Sequence, residues 1–263
     1  MQNYIICNAY HNCYLNFKMI NHFFKSLFWI FILCLFISCK KNEVKSKKAY
    51  FRGEIINPSS DYVLLYSDNK IIDTLNLSVD KRFLKKFDSI NYGLFKIEHL
   101  PENQMIIIES GDSILARANM SDFNGSLFFS GKGAAKNNFL METYLNLQNE
   151  ISFLSSKYSL KGKSFNKIID SLYLEKYTVW KNLIDKNNFS NFTKKVTKAS
   201  FKYPYANRKA RYALIRGNSK NIKNDSSYFS YRDKLSYNEE ELSFFEPYIS
   251  YLMSYLSLEA LEK

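Results

Sequence analysis

The sequence predicts an α+β fold, an N-terminal antiparallel β-sandwich followed by a C-terminal helical segment, and three observations carry that prediction. Short apolar runs separated by turn residues recur at about ten-residue spacing through the first half of the chain beyond its leader. From Ala134 onward glycine nearly vanishes and apolar residues recur every three or four positions. A composition of 46% hydrophobic and 17% aromatic residues is rich enough to build a core, which rules out wholesale disorder.

The strand-like runs are 49–55, 62–67, 70–77, 82–90, 92–100, 104–110, 113–120 and 126–131. Asn57-Pro58, Asp68-Asn69, Pro101-Glu102 and Gly111-Asp112 punctuate them. These runs suit an antiparallel sandwich or barrel spanning 49–131. In the helical segment, 132–263, one stripe is Phe139, Leu140, Tyr144, Leu147, Ile151 and Leu154. A second is Ile168, Leu172, Leu174, Tyr177, Trp180, Leu183 and Ile184. A third helix is expected over Asn191 to Phe201, ending near Pro204, and a fourth over Asn207 to Arg216, before Gly217. Residues 218–227 are polar and suit a loop. Pro247 fits the first turn of a last helix running to Leu261, with Tyr248, Leu252, Tyr255 and Leu256 on its buried face.

Ahead of all this stands a leader. Residues Ser26 to Cys39 read SLFWIFILCLFISC without a charge, behind Lys25. That is short of the roughly 20 apolar residues that span a bilayer. A positive residue, a short apolar stretch and a small residue before a cleavage point describe a secretory signal. Ser38-Cys39 supplies the cleavage point in the lipoprotein form, with a lipid thioether on Cys39. A standard signal cut elsewhere and an uncleaved anchor are the alternatives, because Phe36 stands where Leu is commonest. Residues 1–18 fit no signal region, so Met19 is the expected start of a compact leader. The expected organisation is thus a leader over 1–38, a lipidated tether over 39–48, and the two domains.

Processing at Cys39 constrains the chemistry. The cysteines are Cys7, Cys13, Cys34 and Cys39, and the histidines His11, His22 and His99, so only Cys39 and His99 would remain. That inventory supplies no disulfide, Cys/His metal site or Cys-His nucleophile. No catalytic residue, metal ligand or cofactor is expected. The formal charge of +12 raises the question of nucleic acid, but the densest basic cluster is Lys40, Lys41, Lys45, Lys47 and Lys48 in the tether, and no nucleic-acid motif accompanies it. No nucleic-acid partner is expected.

Several short features resemble a known family: the leader with Cys39, the opening strand Phe51-Arg52-Gly53-Glu54-Ile55, Asp73-Thr74, the Gly111-Asp112-Ser113 turn, and Phe129-Ser130-Gly131-Lys132-Gly133-Ala134-Ala135-Lys136-Asn137-Asn138-Phe139-Leu140. Together they are similar to the N-terminal, pre-thioredoxin region of TlpA-type lipoproteins of Bacteroidetes, a β-sandwich module of unassigned function plus a helical segment. In that family a motif like Tyr248-Ile249-Ser250-Tyr251-Leu252 precedes a thioredoxin domain with a Cys-x-x-Cys pair. This sequence ends at Lys263, where that domain would begin, so the family's reductase activity does not transfer. Two expectations follow: a stand-alone relative, or a truncated or split oxidoreductase. Asp73-Thr74-Leu75, Asp88-Ser89-Ile90, Asp112-Ser113-Ile114 and Asp170-Ser171-Leu172 are also similar to the short O-glycosylation pattern of Bacteroidetes envelope proteins, a pattern that arises readily by chance.

Other candidates receive structural readings. Gly131 to Lys136 lacks a P-loop ending and suits a flexible strand-to-helix joint. Gly111-Asp112 suits a hairpin turn, and His99 a surface position at a strand end. Glu239, Glu240 and Glu241 suit a helix N-terminus. Tyr203, Tyr205, Tyr228, Phe229, Tyr231 and Tyr237 suit core packing over glycan or peptide stacking. The expected function is a non-catalytic interaction or scaffold module, lipid-anchored to the outer membrane of a Gram-negative cell, with the periplasmic face preferred. Its expected partners are the membrane and an envelope protein, a peptide or a glycan.

Overall fold

Eight strands form where the apolar runs predict them, and they divide between two sheets. A computed structural model describes residues 47–216 and 226–262 of the chain. The leader, Ser38, Cys39 and most of the tether lie outside the described residues, as does most of the 218–227 segment. Sheet order is β4-β1-β7-β8 in one sheet and β3-β2-β5-β6 in the other. The first comprises β1 (Ala49–Ile56), β4 (Arg82–Phe87), β7 (Ser113–Asn119) and β8 (Phe128–Lys132). The second comprises β2 (Tyr62–Ser67), β3 (Lys70–Asn76), β5 (Tyr92–His99) and β6 (Glu102–Glu109).

The pairing is antiparallel except for β1 and β7, which run parallel in the register Phe51↔Ile114. This corrects the wholly antiparallel expectation. The chain leaves the second sheet after β6 and re-enters the first beside β1, so β7 runs the same way as β1. The Gly111-Asp112 turn is therefore a corner between the sheets, not a hairpin. Asp68-Asn69 is a true hairpin turn, with both residues at positive φ (47° and 59°) between the paired Ser67 and Lys70.

Inner-facing residues of both sheets, among them Phe51, Phe83, Ile114 and Phe129 from one and Leu65, Phe95, Ile106 and Ile108 from the other, form one apolar cluster. Ile107 and Leu94 point the opposite way, into the helical core. Alternation along β6 thus explains why Ile106, Ile107 and Ile108 are all completely buried. The second sheet has its other face covered by helices, and the described residues belong to one compact unit.

Among the described residues the long helices are α1 (Ala134–Ser155), α2 (Gly162–Lys186), α3 (Asn191–Arg216) and α4 (Glu246–Glu262), with short 3₁₀ turns between them and a one-turn helix at Phe123–Ser126 before β8. Helix α3 runs straight through Pro204, which corrects the expected break. An interior proline costs roughly 3 kcal/mol of helix propensity. Fourteen residues of α3 are buried, on both sides of Pro204 and including Val196, Phe201, Tyr205 and Tyr212, and burying each large apolar side chain returns about 1.5–3 kcal/mol. Packing therefore overrides the local penalty. In α4 the buried residues are Tyr248, Tyr251 and Leu258, whereas Leu256 is exposed. Tyr144, Ile151 and Leu174 of the two expected stripes also face solvent.

Candidate functional site

Two clusters of polar side chains stand out, and the first joins motifs far apart in sequence. Gly133 caps α1 at φ 94°, and a Cβ there would lie 2.3 Å from the Asp112 carboxylate. Glycine is needed because the joint presses against the corner at Asp112. One turn later Lys136, almost wholly buried, places its ammonium 2.6 Å from Asp112 Oδ2 and 2.9 Å from Glu109 Oε2. Ser190, just before α3, donates to the other oxygen of Glu109, and Asp112 accepts from the Glu109 backbone N–H at 2.7 Å. Burial pushes the Asp112 carboxyl up, and Lys136 only partly offsets it. Burial also pushes Glu109 up, but the charge of Lys136 and the bonds from Ser190 and Lys136 outweigh it, so its pKa falls below the ordinary value.

The next two residues bind both sheets. Asn137 accepts from the Ile107 N–H at 2.7 Å and donates to its carbonyl at 3.0 Å. Asn138 does the same with Phe129, at 2.9 and 2.8 Å. β6 and β8 are edge strands, and edges carry unpaired backbone groups. The two side-chain amides occupy those groups as a neighbouring strand would. Lys136, Glu109, Asp112, Asn137 and Asn138 all have partners, and together they lock α1 onto the sheets.

The second cluster is a cleft of about 540 Å³ between α1 and α2, with Tyr205 of α3 also on its wall. The facing side of α1 carries Glu142, Asn146, Asn149 and Phe153 at near-helical spacing, and that of α2 carries Leu172, Glu175, Lys176 and Val179. Because polar residues occupy both faces, the helices pack on α3 but do not zip onto each other. Lys176 is 8% exposed and, among the described residues, makes no hydrogen bond or ion pair. Burial pushes its pKa down, while the charges of Glu150, Glu142 and Glu175 oppose the shift without closing to contact. Glu150 is engaged elsewhere, by Arg208 and by the Tyr205 hydroxyl at 2.9 Å. Thr143 Oγ1 is buried and has no hydrogen-bond partner among the described residues.

The remaining sequence candidates serve the fold. His99 is buried, correcting the surface expectation. Its Nε2 accepts from the Ser59 N–H at 3.0 Å and its Nδ1 lies 2.8 Å from the Tyr62 carbonyl, tying β5 to the β1–β2 loop. Glu239 and Glu241 both hold Lys195 of α3, at 3.2 and 2.5 Å. Tyr203, Tyr205 and Tyr228 are buried in the helical core and Phe229 and Tyr231 pack against it, as the core-packing reading has it, whereas Tyr237 is exposed, which corrects that reading there. Lys176 escaped the sequence reading, though it left a signal. It interrupts the apolar row Leu172–Lys176–Trp180, where a charged residue at i, i+4, i+8 spacing needs a reason.

Among the described residues no group of three or more His, Cys, Asp or Glu side chains is placed to hold a metal ion. No described helix is long and apolar enough to cross a membrane. No family model matches the chain, and neither does any curated protein.

Proposed function

We propose that the chain is a lipid-anchored envelope protein whose folded part is a non-catalytic binding module, with the α1–α2 cleft as its ligand site. One observation carries the reading: Lys176 is buried along its stem and opens its ammonium to the cleft, where among the described residues it has no hydrogen-bond or ion-pair partner. Partial desolvation disfavours the charged form of such a group, and a partner that enters the cleft would offset that cost. A site that binds a polar ligand gives that cost a purpose. The volume lies within the usual range for small-ligand pockets, and the aromatic walls Phe139, Phe153 and Tyr205 favour a glycan- or peptide-binding module over a bare scaffold. The leader and Cys39 support the anchoring half of the proposal, the resemblance to TlpA-type lipoproteins supports an envelope location, and the lack of an acidic run in Lys40-Lys41-Asn42-Glu43 favours the periplasmic face.

A thermal-shift panel of short peptides and oligosaccharides tests the site. At least one probe should raise the Tm of the wild-type chain and leave an Asn146→Trp variant, whose indole fills the cleft, unmoved. If no probe separates the two proteins, the cleft is not the binding site. Palmitate labelling that persists in Cys39→Ala would remove the anchor.

A further inference from the structure

We propose that the ligand of the α1–α2 cleft is a short peptide with free ends, its carboxylate on Lys176 and its ammonium on Glu142 and Glu175. This rests on the reading of the cleft as the binding site and adds the chemistry of what it binds.

The argument begins with charge at two depths. Lys176 is buried along its stem, and Glu150 of α1, the carboxylate with the largest influence on it, is held by Arg208 and Tyr205. Glu142 and Glu175 are exposed at the rim and have no hydrogen bond or ion pair among the described residues. The cleft therefore presents a positive interior and a negative mouth. A neutral oligosaccharide would leave Lys176 unpaired. A multiply charged anion such as phosphate would meet the unpaired Glu142 and Glu175 with only Lys176 to balance it, because Arg208 is taken by Glu150. A zwitterion satisfies both depths.

The other polar groups point to a peptide rather than a simple amino acid. Asn146 and Asn149 line the cleft and, among the described residues, use neither their amide donors nor their acceptors. Each side-chain amide offers the donor and acceptor set that a peptide unit needs. Thr143 adds a buried hydroxyl without a partner. Phe139, Leu172 and Val179 supply apolar wall for small side chains, and about 540 Å³ accommodates more than one residue.

Isothermal titration calorimetry on the full chain separates the possibilities, with tri-alanine, its C-terminal amide, its N-acetyl form and triacetylchitotriose as probes. Tri-alanine should bind, and amidation should weaken it about ten- to hundredfold, the worth of a charge-assisted bond. N-acetylation should cost about two- to fivefold, as exposed pairs do. Lys176→Met should bind tri-alanine as weakly as wild type binds the amide, and should no longer tell acid from amide. The surface pair Glu142→Gln with Glu175→Gln should weaken tri-alanine but not the N-acetyl peptide, so the test does not depend on the lysine variant folding. Equal affinity for acid and amide overturns the proposal. Tighter binding of triacetylchitotriose also overturns it, yet leaves the cleft standing as a binding site. Absence of binding by every probe, with a flat thermal-shift panel, overturns both readings.

Discussion

Lys136 and Lys176 are both lysines buried on helices that flank the same cleft, and their surroundings differ in one respect. Lys136 closes on two carboxylates, at 2.6 and 2.9 Å, and Lys176 closes on none among the described residues. A third buried lysine, Lys209, follows the first pattern, with Asp170 at 2.6 Å. A buried charge inside a completed network belongs to the framework, because removing it strands its partners. A buried charge beside carboxylates that stay out of reach leaves its pairing to something that enters from outside. Burial alone would not have told the two lysines apart.

The largest effect should come from Lys136→Met, which leaves Glu109 and Asp112 buried together without a cation. Breaking such a network costs about 3–5 kcal/mol, read as a fall in the denaturation midpoint. A loss under about 1 kcal/mol would mean that the joint does not hold α1 to the sheets. Asn137→Ala should follow at about 2–4 kcal/mol, since it strands the buried N–H and C=O of Ile107, each worth about 1–3 kcal/mol.

The smallest effect should come from Lys176→Met. With no partner to strand, it should leave stability unchanged or raise it by about 1 kcal/mol near neutral pH. A marked loss would erase the contrast with Lys136. The pH dependence sharpens it further. Burial lowers the folded-state pKa of Lys176, with Glu150, Glu142 and Glu175 opposing. The folded protein thus releases this proton before the unfolded chain does. Stability then rises with pH from the lowered folded value toward the unfolded lysine value of about 10.4. Any advantage of Lys176→Met over wild type should therefore shrink in alkaline solution, as urea denaturation at stepped pH would record.

Of the joint, the sequence showed the parts but not the assembly. Gly111-Asp112 and Gly131-Lys132-Gly133 were legible as turn and hinge, yet nothing local says that Gly133 must clear the Asp112 carboxylate. The cleft was less legible still. Its walls mix polar and apolar residues on two helix faces, which in sequence look like ordinary surface, and Lys176 differs from its neighbours only by sitting in an apolar row. Pro204 misled for the same reason, because local propensity is a term of a few kcal/mol that tertiary burial can exceed. His99 lost its expected surface place to partners about forty residues away, Ser59 and Tyr62.

By itself the sequence determined the order of a sheet half followed by a helical half, the positions of all eight strands, and the start of α1 at Ala134. Those features depend on side-chain periodicity and turn chemistry, which act over a few residues. Only the tertiary structure decided that β7 joins β1 in parallel, that α3 continues through Pro204, and which buried lysine finds a partner. Each of these depends on groups brought together from distant parts of the chain, where packing and desolvation outweigh local preference.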